Sequence, residues 1–354
     1  MISLGQFQKI REKWGEKLLI LGHYYIPDET IACTDRQGDS LALAKMAASD
    51  EKCEAILFCG VHFMAETADI LANAPQKVAA RGGKRIPVML PNLLAGCPMA
   101  NMASRGEVEK CWKILAETLD VEKEVTPVTY VNSSASIKAF CGLHGGIVCT
   151  SSNAREVLEW ALARKKRVLF LPDQHLGRNT ALKMGISPDE MVLWDRQAGK
   201  ALGNLEQAKV ILWNGFCRVH HQMTPAMAQQ MKTQYPDAKL IVHPECSQAV
   251  VAQSAADGST SFLINVVQNS QPGEAFVIGT ESHLVDRLQK QYPDREIHHL
   301  AEKHNCVNME QNTLDALLGL VEAWDAGKPY NIVAVPEEIA APARVALENM
   351  LRVK

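Results

Sequence analysis

Short apolar runs alternate with amphipathic stretches along most of the chain. The runs Leu18–Leu21, Ala55–Cys59 and Val210–Leu212 predict buried strands because each is short, apolar and bounded by turn residues. The amphipathic stretches between such runs predict helices, among them Ser247–Ala256 and a terminal helix at Pro342–Leu351. Strands that alternate with helices indicate βα units and parallel sheets, so the predicted fold class is α/β.

The alternation runs through three rounds of similar length, which indicates an internal repeat. We therefore predict three similar three-layer αβα domains with parallel sheets. The predicted domains are 1–103 completed by 301–354, then 104–205, then 206–300. Two further segments, near 140–145 and 195–207, are interpreted as insertions that lengthen loops.

Polar and ionisable residues follow nearly every predicted strand. The strand ends read His-Tyr-Tyr, Gly-Cys-Pro, Tyr-Val-Asn-Ser, Thr-Ser-Ser, Phe-Cys-Arg-Val-His and His-Pro-Glu. Backbone requirements alone favour Gly, Asn and Asp at such turns. Ligands bind at the carboxyl ends of parallel strands, so recurring His, Tyr and Glu at these positions predict a shared pocket.

One of these strand ends, Trp213–His221, combines Cys217 with His220. A metal ligand and a proton donor would be useful at that place. Cysteine is also among the residues that are most often buried without a chemical role, so the spacing alone leaves both interpretations open.

Composition excludes several classes of protein. Hydrophobic residues make up 47% of the 354 residues and charged residues 22%, values typical of globular domains. A net charge of −3 gives no electrostatic reason to bind nucleic acid or an anionic membrane. No signal peptide or membrane-spanning run is recognised, so a cytoplasmic protein is predicted. Ten cysteines without a C-x-x-C pair indicate neither a disulfide framework nor a zinc ribbon in a reducing cytosol.

Several short motifs occur together and in a fixed order from about Leu19 to Leu318. They are Gly22-His23-Tyr24-Tyr25, Gly38-Asp39-Ser40, Leu90-Pro91-Asn92 with Cys97, Tyr130-Val131-Asn132-Ser133, Cys149-Thr150-Ser151, Pro172-Asp173-Gln174-His175, Asn214-Gly215-Phe216-Cys217-Arg218-Val219-His220, His243-Pro244-Glu245 and Gly258-Ser259-Thr260. In this combination the chain resembles quinolinate synthase, an iron–sulfur enzyme of NAD biosynthesis. The resemblance implies a pseudo-threefold arrangement of the three domains around a central active site.

The resemblance also implies a [4Fe–4S] cluster with three cysteine ligands, one from each domain. By motif the ligands fall on Cys97, Cys217 and Cys306, although the residues around Cys306 carry little motif. Three ligands for four irons leave one iron open, and an open iron can act as a Lewis acid on a substrate oxygen.

The implied reaction condenses iminoaspartate with dihydroxyacetone phosphate to quinolinate, phosphate and water. Proton transfer is expected from Tyr25, His220 and Glu245. Substrate binding is expected from His23, Ser40, Tyr130, Asn132, Ser151, His243, Ser259 and Thr260. The serine and threonine residues in this list lie at predicted helix starts, where free N–H groups favour anions. The alternative interpretation of each is an ordinary helix cap. An aspartate oxidase or aspartate dehydrogenase is the implied source of iminoaspartate.

Two alternative functions remain open at the level of the sequence. The first is an iron–sulfur reductase of similar three-domain architecture, which would need electrons from a partner. The second is a non-catalytic iron–sulfur redox sensor, which would need an output surface such as a basic patch. His175 lies in a motif but receives no chemical role, and a loop-stabilising function is at least as good an interpretation.

Overall fold

The structure, a computed structural model, describes residues 2–302 and 304–353. Met1, Lys303 and Lys354, which fall within the predicted ranges 1–103 and 301–354, lie outside the described residues. The strands are β1 (Leu18–His23), β2 (Arg36–Gly38), β3 (Ala55–Cys59), β4 (Val88–Met89), β5 (Val125–Tyr130), β6 (Ile147–Cys149), β7 (Arg167–Leu171), β8 (Met191–Asp195), β9 (Lys200–Leu202), β10 (Val210–Trp213), β11 (Lys239–Val242), β12 (Ala256–Asp257), β13 (Ala275–Gly279), β14 (Glu296–His299) and β15 (Ile332–Val333).

Helices occupy most of the segments between the strands. They are α1 (Leu4–Trp14), α2 (Asp28–Ile31), α3 (Ser40–Ser49), α4 (His62–Ala72), α5 (Pro75–Ala80), α6 (Arg105–Leu115), α7 (Val121–Glu124), α8 (Ala135–Leu143), α9 (Ala154–Leu162), α10 (Gln174–Lys183), α11 (Arg218–His221), α12 (Pro225–Gln234), α13 (Gln248–Val251), α14 (Thr260–Gln268), α15 (Ser282–Gln291), α16 (Leu314–Asp325) and α17 (Glu337–Arg352).

The described residues form three sheets, and their central strands are buried throughout. Every residue of β1, β3, β5 and β7 is buried, which is the pattern of parallel strands that helices cover on both faces. The strand orders are β15–β4–β3–β1–β2, β6–β5–β7–β10–β8–β9 and β12–β11–β13–β14. Only the pairings of β15 with β4 and of β8 with β9 are antiparallel among the described strands.

The three sheets share one strand order. If the four strands of each round are numbered along the chain, their order across the sheet is 4-3-1-2 in all three sheets. These orders are β4–β3–β1–β2, β10–β7–β5–β6 and β14–β13–β11–β12. The strands β15, β8 and β9 extend this common order at one edge. The predicted α/β class with repeated, largely parallel sheets is therefore confirmed.

The chain divides into two compact units. Unit 1 comprises Met1–Cys97 with Asn305–Ala340 and contains the first sheet, whereas unit 2 comprises Pro98–His304 with Ala341–Lys354 and contains the other two. Within unit 1 the later segment packs on the earlier one, because the Asn312 side chain donates to the Gly60 carbonyl oxygen over 3.0 Å. The boundaries of the three predicted domains stay a prediction.

Four local predictions differ from the structure. The predicted insertion near 195–207 contains β9, which forms an antiparallel pair with β8 and so belongs to the sheet. The segment near 140–145 begins inside α8 rather than in a loop. The single helix predicted at Ser247–Ala256 is one short helix, α13, followed by the edge strand β12. The terminal helix α17 begins at Glu337 and contains Pro342, which was predicted to start it.

Candidate active site

The Cys217 loop of unit 2 follows β10 and is tied to the loop after β7. The backbone N–H of Cys217 donates to the Asp173 carboxylate over 3.2 Å, and the other Asp173 oxygen caps α10 by accepting from the Leu176 N–H. A Cβ atom on Gly215 would lie 2.4 Å from the Pro172 carbonyl oxygen, so the close approach of the two loops requires glycine. Burial and the neighbouring charge of Glu245 raise the pKa of Asp173.

His220, on the short helix α11, is the buried centre of this site. Its Nδ1 lies 2.7 Å from a Glu245 carboxylate oxygen and 3.3 Å from the Cys217 sulfur. Its Nε2 lies 3.1 Å from the Thr280 hydroxyl oxygen. One ligand atom each from Cys217, His220 and Glu245 all lie within 4.8 Å of one another, so the three side chains could also face one metal centre.

Glu245 is 3% exposed, and one of its carboxylate oxygens lies 2.7 Å from His220 Nδ1 and 3.3 Å from His243 Nδ1. The two histidine rings stack on each other at 4.5 Å. The Glu245 N–H lies within hydrogen-bonding distance of His243 Nδ1 at 3.3 Å, and His243 Nε2 lies 3.3 Å from the Ser151 hydroxyl oxygen. Glu245 Oε1 is buried and has no hydrogen-bond partner among the described residues. A bound substrate or ion could supply that partner.

Opposing effects set the charge state of this pair. Burial raises the pKa of Glu245, but the attraction of His243 and the hydrogen bond from His220 outweigh it and hold that pKa below its ordinary value. Burial and the nearby His243 lower the pKa of His220. An ionised carboxylate can only accept, so the neutral His220 ring carries its proton on Nδ1 and accepts from Thr280 at Nε2.

The other predicted residues of unit 2 lie at ends of strands or helices. Tyr130 ends β5, and the Asn132 side-chain oxygen that follows it is buried without a hydrogen-bond partner among the described residues. Ser259 caps α14 and Thr260 is its first residue, as predicted from the sequence. Ser151 differs from the prediction: it lies in the turn before α9, whose cap position is Asn153.

The predicted residues of unit 1 form a corresponding set. His23 ends β1 and is 4% exposed, and its Nδ1 accepts the Tyr25 N–H over 3.2 Å. The rings of His23 and Tyr25 meet edge to face at 4.8 Å. Ser40 is the first residue of α3, and Asp39 caps that helix by accepting the Ala42 N–H over 2.9 Å.

The three predicted ligand cysteines occupy equivalent places in the three sheets. Cys97 follows β4, Cys217 follows β10 and Cys306 follows β14, and each of these strands holds the same position in the common strand order. All three are partly exposed. Six of the other seven cysteines are buried, and burial raises the pKa of each of those thiols. A thiolate is the form that ligates metal, so each of the three partly exposed thiols is chemically suited to ligate metal, whereas the six buried thiols are not.

Two residues of this site were not predicted from the sequence. Thr280 follows β13, so the rule that polar residues follow strand ends would have found it. Asp173 lies in a quoted motif, but its contact with the Cys217 backbone depends on a fold in which β7 and β10 are neighbours.

Fold and site together define an α/β protein with buried ionisable side chains and partly exposed thiols after the carboxyl ends of its strands. The family model described as Quinolinate synthetase A protein matches residues 6–352. The chain therefore belongs to the quinolinate synthetase A family, and both the predicted family and the predicted type of enzyme are confirmed.

Curated relatives agree with the family model. The chain is 48% identical over 354 residues to quinolinate synthase of Rhodopirellula baltica, covering 99% of this chain and 90% of the relative. It is 47% identical over 352 residues to quinolinate synthase of Corynebacterium glutamicum, covering 98% and 86%. The chain was also matched to a solved structure, the E-1-hydroxy-2-methyl-but-2-enyl-4-diphosphate reductase from Plasmodium falciparum. The match covers 94% of this chain and 85% of the reductase, at 10% identity and a TM-score of 0.25. This likeness is too low to support the reductase alternative. In the described part of the chain, no helix has the length and apolarity needed to cross a membrane.

Proposed function

We propose that the protein condenses iminoaspartate with dihydroxyacetone phosphate to form quinolinate, inorganic phosphate and water. The observation that carries this proposal is the group formed by His220, Glu245 and Cys217 at a strand end, in a chain that belongs to this family. The reaction requires groups that hold anions and groups that move protons, and the described residues supply both kinds.

The proposal assigns Cys97, Cys217 and Cys306 as the three ligands of a [4Fe–4S] cluster. Its support is the equivalent position of the three thiols, each after the same strand of its sheet, and their partial exposure. When bound, such a cluster would supply one open iron as a Lewis acid for a substrate oxygen. In the same proposal the enzyme works in the cytosol, and an aspartate oxidase or aspartate dehydrogenase supplies the iminoaspartate.

Glu245 is the proposed proton acceptor of unit 2. Its carboxylate is ionised, buried and held by the His220 Nδ1–H, so it can take a proton from substrate carbon or nitrogen without first losing a shell of water. His220 then stabilises the protonated Glu245 or exchanges a proton with it. Tyr25 of unit 1 is the proposed proton donor for the dehydration and isomerisation steps, since its phenol follows the strand end that carries His23.

The remaining residues would bind the substrates. Ser40 lies in the first turn of α3, and Ser259 and Thr260 begin α14, where hydroxyl groups beside a helix N-terminus suit a carboxylate or a phosphate. His243 holds the Ser151 hydroxyl, so that this hydroxyl can donate to an anion. His23 and Tyr130 would line the substrate pocket, and the unpartnered Asn132 oxygen can accept from a substrate hydroxyl or amine.

Iron and sulfide counts test the cluster, and product analysis tests the reaction. Protein purified without oxygen is expected to hold about four irons and four sulfides per chain. Cys217→Ser should lose them, while Cys33→Ser, a control at a partly exposed cysteine outside the assigned ligands, should keep them. Wild-type protein should release phosphate from dihydroxyacetone phosphate only when iminoaspartate is present. A cluster without quinolinate formation would favour the redox-sensor alternative and end the proposal.

A further inference from the structure

Three polar side chains lie along one face of helix α10. They are His175, Asn179 and Lys183, and their spacing of four residues places them above one another on successive turns. We call these three residues the α10 stripe. Each of them contacts a segment next to a residue of the candidate site, although the three segments come from different parts of unit 2.

His175 and Lys183 contact the two outer segments. His175 Nε2 lies 2.9 Å from Nδ1 of His221, the residue after His220. The Lys183 ammonium pairs with the Asp257 carboxylate at 2.6 Å and donates to the Asp257 carbonyl oxygen over 3.2 Å. Asp257 precedes Gly258 and Ser259, so Lys183 holds the backbone that leads into α14.

Asn179 contacts the central segment and is 2% exposed. Its side-chain amide nitrogen donates to the carbonyl oxygens of Pro244 and Cys246, each over 2.9 Å. These two carbonyls flank Glu245. The two donors of one rigid amide therefore hold the backbone one residue before and one residue after the proposed proton acceptor.

We propose that the α10 stripe is a positioning device that holds the His220, Glu245 and Ser259 segments in register, with Asn179 as the positioning residue for Glu245. The inference rests on the proposed function for its effect on catalysis, but its structural part does not. Asn179 contacts the backbone on either side of Glu245 and leaves the carboxylate itself to His220. Its loss should therefore displace the carboxylate without removing a reacting group.

Asn179→Asp is the sharpest test because it keeps the shape of the side chain and replaces both donors by an acceptor. A carboxylate oxygen facing two carbonyl oxygens repels them, so the turn that contains Glu245 should open. Hydrogen–deuterium exchange of the peptide spanning 243–247 reports this directly, because the Glu245 and Cys246 N–H groups are bonded within that turn. We expect exchange there to rise at least about tenfold, while the first sheet in unit 1 is unchanged.

Catalysis gives the second reading. A misplaced proton acceptor should lower kcat by about 10²-fold and change KM much less, because substrate binding does not depend on Glu245 reaching its proton. Asn179→Ser retains one donor and should give an intermediate loss in both measurements. Lys183→Met, which releases the segment before Ser259, should instead raise KM and the exchange of residues 256–260.

Leu115→Ala is the stability-matched control. Leu115 is fully buried in α6 of the same unit, and its truncation should lower the melting temperature without changing kcat or exchange in 243–247. Unchanged exchange and unchanged kcat in Asn179→Asp would overturn the inference. The exchange measurement needs no substrate, so a wild-type protein that forms no quinolinate would end the proposed function and leave the stripe to be judged by exchange alone.

Discussion

Two turns, one in each unit, use the same backbone device at the end of a central strand. At His23–Tyr25 and at His243–Glu245, the histidine Nδ1 accepts the N–H of the second residue onward, over 3.2 and 3.3 Å. In both turns the histidine carbonyl accepts the N–H of the third residue onward, over 3.1 and 3.0 Å. Each ring thereby turns its Nδ1 edge toward the backbone of its own turn.

The two turns differ in the residue that follows this device. Unit 1 places the phenol of a half-buried tyrosine there, whereas unit 2 places a fully buried carboxylate that a second histidine also holds. At neutral pH a phenol keeps its proton and can donate it, whereas the Glu245 carboxylate, whose pKa lies below its ordinary value, is ionised and can only accept. One repeated turn can therefore present a protonated group in one unit and an ionised group in the other, through the residue two positions after its histidine.

The largest expected effect comes from removing the carboxylate of unit 2. Glu245→Gln should lower kcat by about 10³-fold, because the amide has nearly the same shape but no longer takes a proton at neutral pH. Product formation in a single-turnover assay measures the loss. Glu281→Gln is the matched control, since Glu281 is also buried and bonded to a histidine, and it should remain active. Near wild-type turnover in Glu245→Gln would remove the carboxylate from the mechanism.

A smaller loss is expected from the phenol of unit 1. Tyr25→Phe keeps the ring against His23 and removes the hydroxyl, so kcat should fall by about 10²-fold with little change in melting temperature. The adjacent Tyr24→Phe should keep full turnover. Equal losses in the two variants would show that turnover does not depend specifically on the Tyr25 hydroxyl.

The next effect concerns His220, the second histidine of unit 2. The Cys97 loop has no histidine at the corresponding position, since its sequence continues Pro98-Met99-Ala100. Thr280→Val removes the hydroxyl at Nε2 of His220 and should lower kcat about tenfold, because the ring loses the hydrogen-bond partner that orients its Nε2 edge. Thr280→Ser should restore activity. A serine variant as slow as the valine variant would point to packing of the threonine methyl group instead.

The smallest expected effect is a dependence of stability on pH that is specific to unit 2. Burial, with the nearby His221, lowers the pKa of His175 to about 4, whereas an unfolded histidine titrates near 6.5. The unfolded chain therefore binds the proton first, and stability that is full above about pH 6.5 is lost as the pH falls toward 4. From pH 7 to 5.5 this amounts to about 1 kcal/mol. Denaturant unfolding should show a shallower loss in His175→Gln; an unchanged slope would mean that other groups cause it.

Much of the fold could be predicted from the sequence because hydrophobic periodicity reports burial directly. The runs Leu18–Leu21, Ala55–Cys59 and Val210–Leu212 lie within β1, β3 and β10, and the helix starts at Ser40 and Thr260 follow their capping residues. The short edge strands β2, β12 and β15 were not predicted, since two or three residues carry no measurable periodicity.

The sequence alone was enough to predict which polar residues lie at strand ends, because each of them directly follows a buried apolar run along the chain. The tertiary structure alone decided which of these residues meet. The contact of His220 with Glu245 and Thr280, and of Asn179 with the carbonyls around Glu245, joins positions far apart along the chain. Local sequence patterns do not predict such contacts, because the contacts depend on strand order. Strand order is set by how the covered faces of the sheets pack.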